Sequence, residues 1–154
     1  MEYGSIEREL HIDATPEVVY EVISSPEHLK EWWPDDVELD PEVGGGGSLT
    51  FMVPDVPGGV VVPMTVVEAD PPRRFAFRWG HAEGDAVSES NSLLVTFDLE
   101  PVDGGTLLRF KETGFREQGW EAAVLEATYL DHVEGWGTFL PRLVTYAPTQ
   151  LAGR

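Results

Sequence analysis

The sequence predicts a single α+β domain in which one long amphipathic helix near the C-terminus packs on an antiparallel sheet. Three observations predict it. Apolar residues alternate with period two in segments from Ser5 to Glu112, short turns separate those segments, and helical spacing takes over from Tyr129. A chain of 154 residues is long enough for one sizeable core, and residues 1–154 read as one domain without linker or repeat.

The first element runs from Ser5 to Asp13. Ile6, Arg8, Leu10 and Ile12 share one face and Glu7, Glu9, His11 and Asp13 the other, which is the pattern of a half-buried strand. Thr15-Pro16-Glu17 then opens a helix, with Thr15 as N-cap, Pro16 at the first helical position and Glu17 suiting the helix dipole. Val18, Val19, Val22 and Ile23 follow at helical spacing. A second short helix runs from about Pro26 to Glu31 and ends in Trp32-Trp33-Pro34.

The middle of the chain is strand-like. Gly44 to Gly47 read as a flexible turn at a pocket mouth, leading into Ser48 to Val53. Gly58-Gly59 opens the run Val60 to Val67, where Pro63 predicts an edge strand or a bulge. After the turn Asp70-Pro71-Pro72, the strand from Arg74 to Trp79 carries Phe75, Phe77 and Trp79 on one side. Leu93, Val95, Phe97 and Leu99 alternate in another. Asp103-Gly104-Gly105 signals a hairpin into a last strand with Leu108, Phe110 and Glu112 on one face.

Tyr129, Val133, Trp136, Leu140, Leu143 and Ala147 then recur at steps of 4, 3, 4, 3 and 4, marking one apolar helix face. Pro141 inside it predicts a kink or a new turn. Gly135 and Gly137, flanking Trp136, predict close approach of another element. The order is one strand, two short helices, about six strands and a long helix.

Ten Lys+Arg against 28 Asp+Glu give a formal charge of −18, and the only lysines are Lys30 and Lys111. A surface this negative repels phosphate backbones and anionic lipid, so no nucleic-acid partner is expected. The charge serves solubility, with a basic partner or cationic ligand as the sharper alternative. No apolar run approaches membrane-spanning length, so no membrane insertion is expected. The N-terminus, Met1 to Ser5, shows no signal-peptide pattern, which makes a cytoplasmic location the expectation. With no cysteine there are no disulfides, thiolate nucleophiles or Cys-based zinc sites.

Four segments together resemble a known family. They are Ile6 to Tyr20, Trp32-Trp33-Pro34, Val67 to Trp79, and His132-Val133-Glu134-Gly135-Trp136 with Leu140 and Leu143. The chain is similar over essentially its whole length to the SRPBCC (START and birch-pollen-allergen-like) superfamily. Within it, the match is to the family named for the activator of the heat-shock-protein-ninety ATPase. The resemblance implies a helix-grip fold: about seven antiparallel strands wrapped around the C-terminal helix, two short helices after the first strand, and a cavity between sheet and helix. It further implies that members bind lipids, polyketides, hormones or other apolar molecules, and that a few catalyse cyclisation. Fold alone does not supply function.

No catalytic cluster stands out. His11, His28, His81 and His132 form no metal-ligand pattern, so no metal and no cofactor are expected; His132 is expected to hydrogen-bond across the helix–sheet contact. Ser88, Ser90 and Ser92 lack a nucleophile elbow. The glycines at 44–47 lack the Lys-Ser/Thr and helix of a phosphate loop. Glu112 shares a face with Leu108 and Phe110, so it either enters the cavity, with Arg8 as a possible partner, or sits where the sheet opens to water.

Aromatic residues supply the clearest sign of function. Trp33, Phe51, Phe77, Trp79, Phe97, Phe110, Trp136 and Phe139 lie on elements that would line such a cavity, and Trp33, Trp79 and Trp136 lead them, because indole offers a broad apolar face and one N–H. The expected ligand-binding set is Trp33, Phe51, Trp79, Phe97, Glu112, Trp136 and Leu140. The expected function is binding of a small apolar or aromatic molecule. Two alternatives stay open: a cyclase or hydrolase using Glu112 with a histidine, and a chaperone-associated interaction module. A homodimer is a possible assembly.

Overall fold

The Thr15-Pro16 helix start forms as its residues dictate, with Thr15 Oγ1 accepting a hydrogen bond from the Val18 N–H at 3.3 Å. The computed structural model describes residues 3–82 and 84–150, so Met1 and Glu2 of the N-terminal segment lie outside the described residues. The elements are β1 (Ser5–Ile12), α1 (Pro16–Ser24), α2 (Pro26–Trp32), β2 (Asp36–Leu39), β3 (Gly46–Phe51), β4 (Val60–Asp70), β5 (Arg74–Trp79), β6 (Leu93–Val102), β7 (Gly105–Thr113) and α3 (Ala122–Tyr146). Single 3-10 turns occupy Arg116–Gln118 and Ala147–Gln150.

The strands form one antiparallel sheet in the order β1-β7-β6-β5-β4-β3-β2. β2 to β7 make a meander, and β1 returns beside β7 at the far edge. This register stacks two inward rows. Phe75, Phe97 and Phe110 lie opposite one another in one; Phe77, Val95, Glu112 and Ile6 form the next. Nearly all of these side chains are closed to water, and the core they make is completed by Trp32, Trp33, Leu29, Trp136, Leu140 and Leu143 from the helices. Trp32 Nε1 donates to the Val22 carbonyl at 3.1 Å and joins α2 to α1. Thr106 Oγ1 donates to the Ala14 carbonyl at 2.7 Å, pinning the start of β7 to the end of β1.

Several local expectations change. Of the two readings of Pro63 the edge is overturned, since β4 pairs with both β3 and β5, while β4 does carry an irregularity, a register shift at Val66/Glu68 three residues on. Proline is tolerated because pairing with β5 ends at Met64, and the Pro63 carbonyl still accepts from the Gly80 N–H at 3.1 Å. The glycine cluster is tied to the sheet and is not at the pocket mouth. Gly44 N–H donates to Val66 O and Val66 N–H to Gly45 O, both at 2.8 Å, while Gly46 and Gly47 belong to β3. A Cβ on Gly47 would collide with the Glu38 carbonyl, so the glycine is needed there for space.

On α3 the helix starts at Ala122, about two turns before the apolar stripe, and continues through Pro141. The carbonyl that Pro141 deprives of a donor is that of Gly137, an exposed residue. The close approach expected at Gly135 and Gly137 does not occur. A Cβ on Gly137 would meet nothing within 4 Å, and one on Gly135 only the Phe139 ring at 4.0 Å.

Candidate functional site: an aromatic pocket over a buried carboxylate

Glu112 stands opposite Ile6 and Val95 in the inward row, so its side chain enters the core, and none of its surface is exposed. Three N–H groups meet it. Trp79 Nε1 donates to Oε2 at 2.8 Å, while Trp136 Nε1 and His132 Nδ1 each lie 2.8 Å from Oε1. An indole N–H can only donate, and an ionised carboxylate only accepts, so the three contacts are mutually consistent. The acceptor also assigns the histidine: the proton that faces Glu112 sits on Nδ1.

The sequence places these donors economically. His132 and Trp136 are one helical turn apart on the same face of α3, so both reach one carboxylate oxygen. Trp79 closes β5 and reaches the other. Burial pulls the His132 pKa down, but the hydrogen bond and charge of Glu112, with the charge of Asp131, outweigh it. The net pKa lies above the ordinary 6.5.

Beside this network lies a pocket of about 520 Å³, within the range of small-molecule sites. Trp33, Phe51, Trp79, Trp136 and Phe139 form its aromatic wall, with Val62 and Leu93 beside them. The rings brace one another: Trp33 lies 5.1 Å from Trp79 and 5.0 Å from Trp136 between centroids. Trp120, Asn91, Ser92, Gln118, Asp131, His132 and Glu134 add a more polar rim, and among the described residues no Lys or Arg lines the pocket. Gln118 Nε2 lies within hydrogen-bond distance of the carbonyls of Glu89, Ser92 and Gly114, so the turn after β7 holds the loop before β6.

Of the residues expected at a site, Trp33, Phe51, Trp79 and Trp136 line this pocket, and Glu112 lies behind it, bonded to two of them and to His132. Phe97 and Leu140 do not line it. Phe97 sits one row deeper, edge-on to Trp32 and Phe110, and Leu140 is one turn past Trp136 in the packed core. Arg8 does not partner Glu112; it is exposed and donates to the Glu7 carbonyl at 2.7 Å. Phe139, one of the aromatics on the expected cavity elements, lines the pocket too, whereas Trp120 and Asp131 line it without having been predicted there. Trp120 precedes the apolar stripe altogether, and Asp131 lies off it.

The other histidines are separate. His11 lies by Asp13 in solvent, and His28 contacts Tyr146 Oη at 2.8 Å and Glu21 at 3.3 Å. His81 is buried with Nε2 3.3 Å from Thr65 Oγ1; burial lowers its pKa, partly offset by Asp85. Among the described residues no group of three or more acidic or histidine side chains is placed to hold a metal ion. Likewise, no helix among them is long and apolar enough to cross a membrane.

A seven-stranded antiparallel sheet, two short helices after β1 and a long C-terminal helix over the concave face define the helix-grip class of the SRPBCC superfamily. Residues 13–147 match the family described as activator of Hsp90 ATPase homolog 1-like protein, and the chain belongs to that family. Solved structures agree on the fold. A protein from Nitrosomonas europaea superposes with a TM-score of 0.76 at 16% identity, covering 97% of each chain. One from Mesorhizobium loti gives 0.71 at 24% identity, covering 92% of this chain and 94% of its own. The Aha1 dimer from Colwellia psychrerythraea gives 0.66 at 20% identity, covering 91% and 92%. No curated protein matches the sequence.

Proposed function

We propose that this protein binds a small apolar or aromatic molecule in the pocket between the sheet and α3. The observation that carries the reading is a wall of five aromatic rings around an open volume of about 520 Å³. Burying an apolar ligand against such a wall releases water from both surfaces, which is the main source of affinity in sites of this kind. The reading predicts that N-phenyl-1-naphthylamine, an uncharged fluorescent probe, binds and brightens. Gly135→Leu tests the location. Gly135 lines the pocket, its added side chain meets little, and leucine favours the helix, so the variant should fold and lose the probe. Undiminished binding in a folded Gly135→Leu protein would move the site elsewhere.

A second reading is acid–base chemistry, favoured by one observation: the 2.8 Å contact between Glu112 and His132 at the pocket. Glu112 holds the ring by Nδ1, leaving Nε2 as the proton-transferring atom, the arrangement of a carboxylate-oriented histidine that gives up or takes a proton there. A turnover assay over cyclisable and hydrolysable aromatic substrates separates the readings. Activity abolished by His132→Gln with probe binding intact supports chemistry. Because the Colwellia protein is described as a dimer, we also propose a homodimer, to be checked by light scattering.

A further inference from the structure

We infer that His132 Nε2 is the polar anchor of the pocket, and that the ligand is an uncharged apolar molecule carrying a hydrogen-bond-accepting oxygen, a carbonyl above all. The inference rests on the proposed pocket and narrows its ligand class. His132 lines the pocket with only 19% of its side chain exposed, and its Nδ1 is committed to Glu112. Nε2 has no hydrogen-bond partner among the described residues and is not sealed from solvent, which leaves it for whatever occupies the pocket. A ligand that filled the aromatic wall and left an N–H there unpaired would forfeit a charge-assisted hydrogen bond.

The direction of that bond follows from the surroundings. Glu112 on β7 and Asp131 on α3 favour the doubly protonated ring, in which Nε2 donates. Trp79 from β5 and Phe115 from the segment after β7 pack on the imidazole and do not titrate near neutrality. Charge then restricts the acceptor. Among the described residues Asp131 and Glu134 line the pocket and no Lys or Arg does; the imidazolium is already paired with Glu112, so a ligand carboxylate would face two further like charges. A cationic group would meet a protonated Nε2 that has no lone pair to offer it. A neutral carbonyl meets neither penalty.

Three naphthalenes of similar size test this: 2-acetonaphthone with a ketone, 2-ethylnaphthalene without an acceptor, and 2-naphthoate with a carboxylate. Binding to the full chain is measured calorimetrically from about pH 5.5 to about pH 9, a window that spans histidine and not carboxylate titration. The ketone should bind about tenfold more tightly than the hydrocarbon at the acid end. That advantage should shrink as pH rises and Nε2 loses its proton, with the carboxylate weaker than the ketone throughout. In His132→Gln, whose amide donates at every pH, the remaining ketone advantage should not vary with pH. Should that variant fail to fold, the wild-type series decides alone. Equal binding of ketone and hydrocarbon at all pH values, or tightest binding of the carboxylate, overturns the anchor and leaves the apolar pocket standing. Failure of all three to bind overturns both.

Discussion

Replacing Glu112 by glutamine removes a charge while nearly preserving shape, and the structure dictates what is lost. If the amide oxygen takes the place of Oε1, it still accepts from His132 and Trp136, but the new NH₂ then faces the Trp79 N–H. The opposite orientation sets the NH₂ against both His132 and Trp136. At least one buried donor is stranded, and the pairing with His132 is weakened. Together these cost about 2–4 kcal/mol of stability near pH 6. The cost depends on pH with a definite sign. The folded pKa of His132 lies above 6.5, so its contribution is complete below about pH 6.5 and is lost as pH rises through the folded value. In the variant, burial dominates, with only Asp131 opposing it, and that contribution reverses. The difference in unfolding free energy between the two proteins is therefore largest at acid pH and declines toward about pH 9. Taking the difference cancels His81, whose burial-lowered pKa acts in both proteins. Urea denaturation at half-unit pH intervals measures it. A difference that stays constant across the window, or a variant as stable as wild type at pH 6, refutes the buried ion-pair account.

Three further outcomes are expected. Gly137→Ala adds about 1 kcal/mol in urea denaturation and leaves ligand binding unchanged, because the site is helical, exposed and empty around its Cβ. Thr106→Val costs about 1–2 kcal/mol by the same measurement, because the Ala14 carbonyl loses its buried donor. Gln118→Ala releases the loop before β6, read as faster hydrogen exchange between Ser88 and Ser92 with little change at β1 or β7.

Legibility in the sequence followed from how much of each element is buried. β1, α1, β5, β6 and β7 each present an apolar face to one core, so their alternation or periodicity is visible residue by residue. β2 was not located because Asp36-Val37-Glu38-Leu39 offers too few apolar positions to establish a period. The first two turns of α3 were missed for a related reason: residues 122–128 are largely exposed, and the stripe begins only where the helix meets the sheet. For Glu112 the sequence showed only a shared face with Leu108 and Phe110 and left open whether it enters the cavity or meets water; the structure buries it. The convergence of two indoles and an imidazole on it depends on how α3 lies over β5 and β7, which no local pattern encodes. Phe97 and Leu140 show the same limit from the other side. Facing inward is a property of the strand or helix, but lining a pocket depends on distance along it, and both lie a step too deep.

The tryptophans crowded around the pocket also give the molecule an optical property. Four of its five, Trp33, Trp79, Trp120 and Trp136, line that single volume, and Trp32 stacks on Trp33 5.9 Å away. Indole emission shifts with the polarity around the ring, and rings this close exchange excitation among themselves. The intrinsic fluorescence of the whole chain therefore reports on one place. A molecule that displaces water there should change both its colour and its intensity, so the unlabelled protein can serve as its own spectroscopic sensor in a screen of compounds.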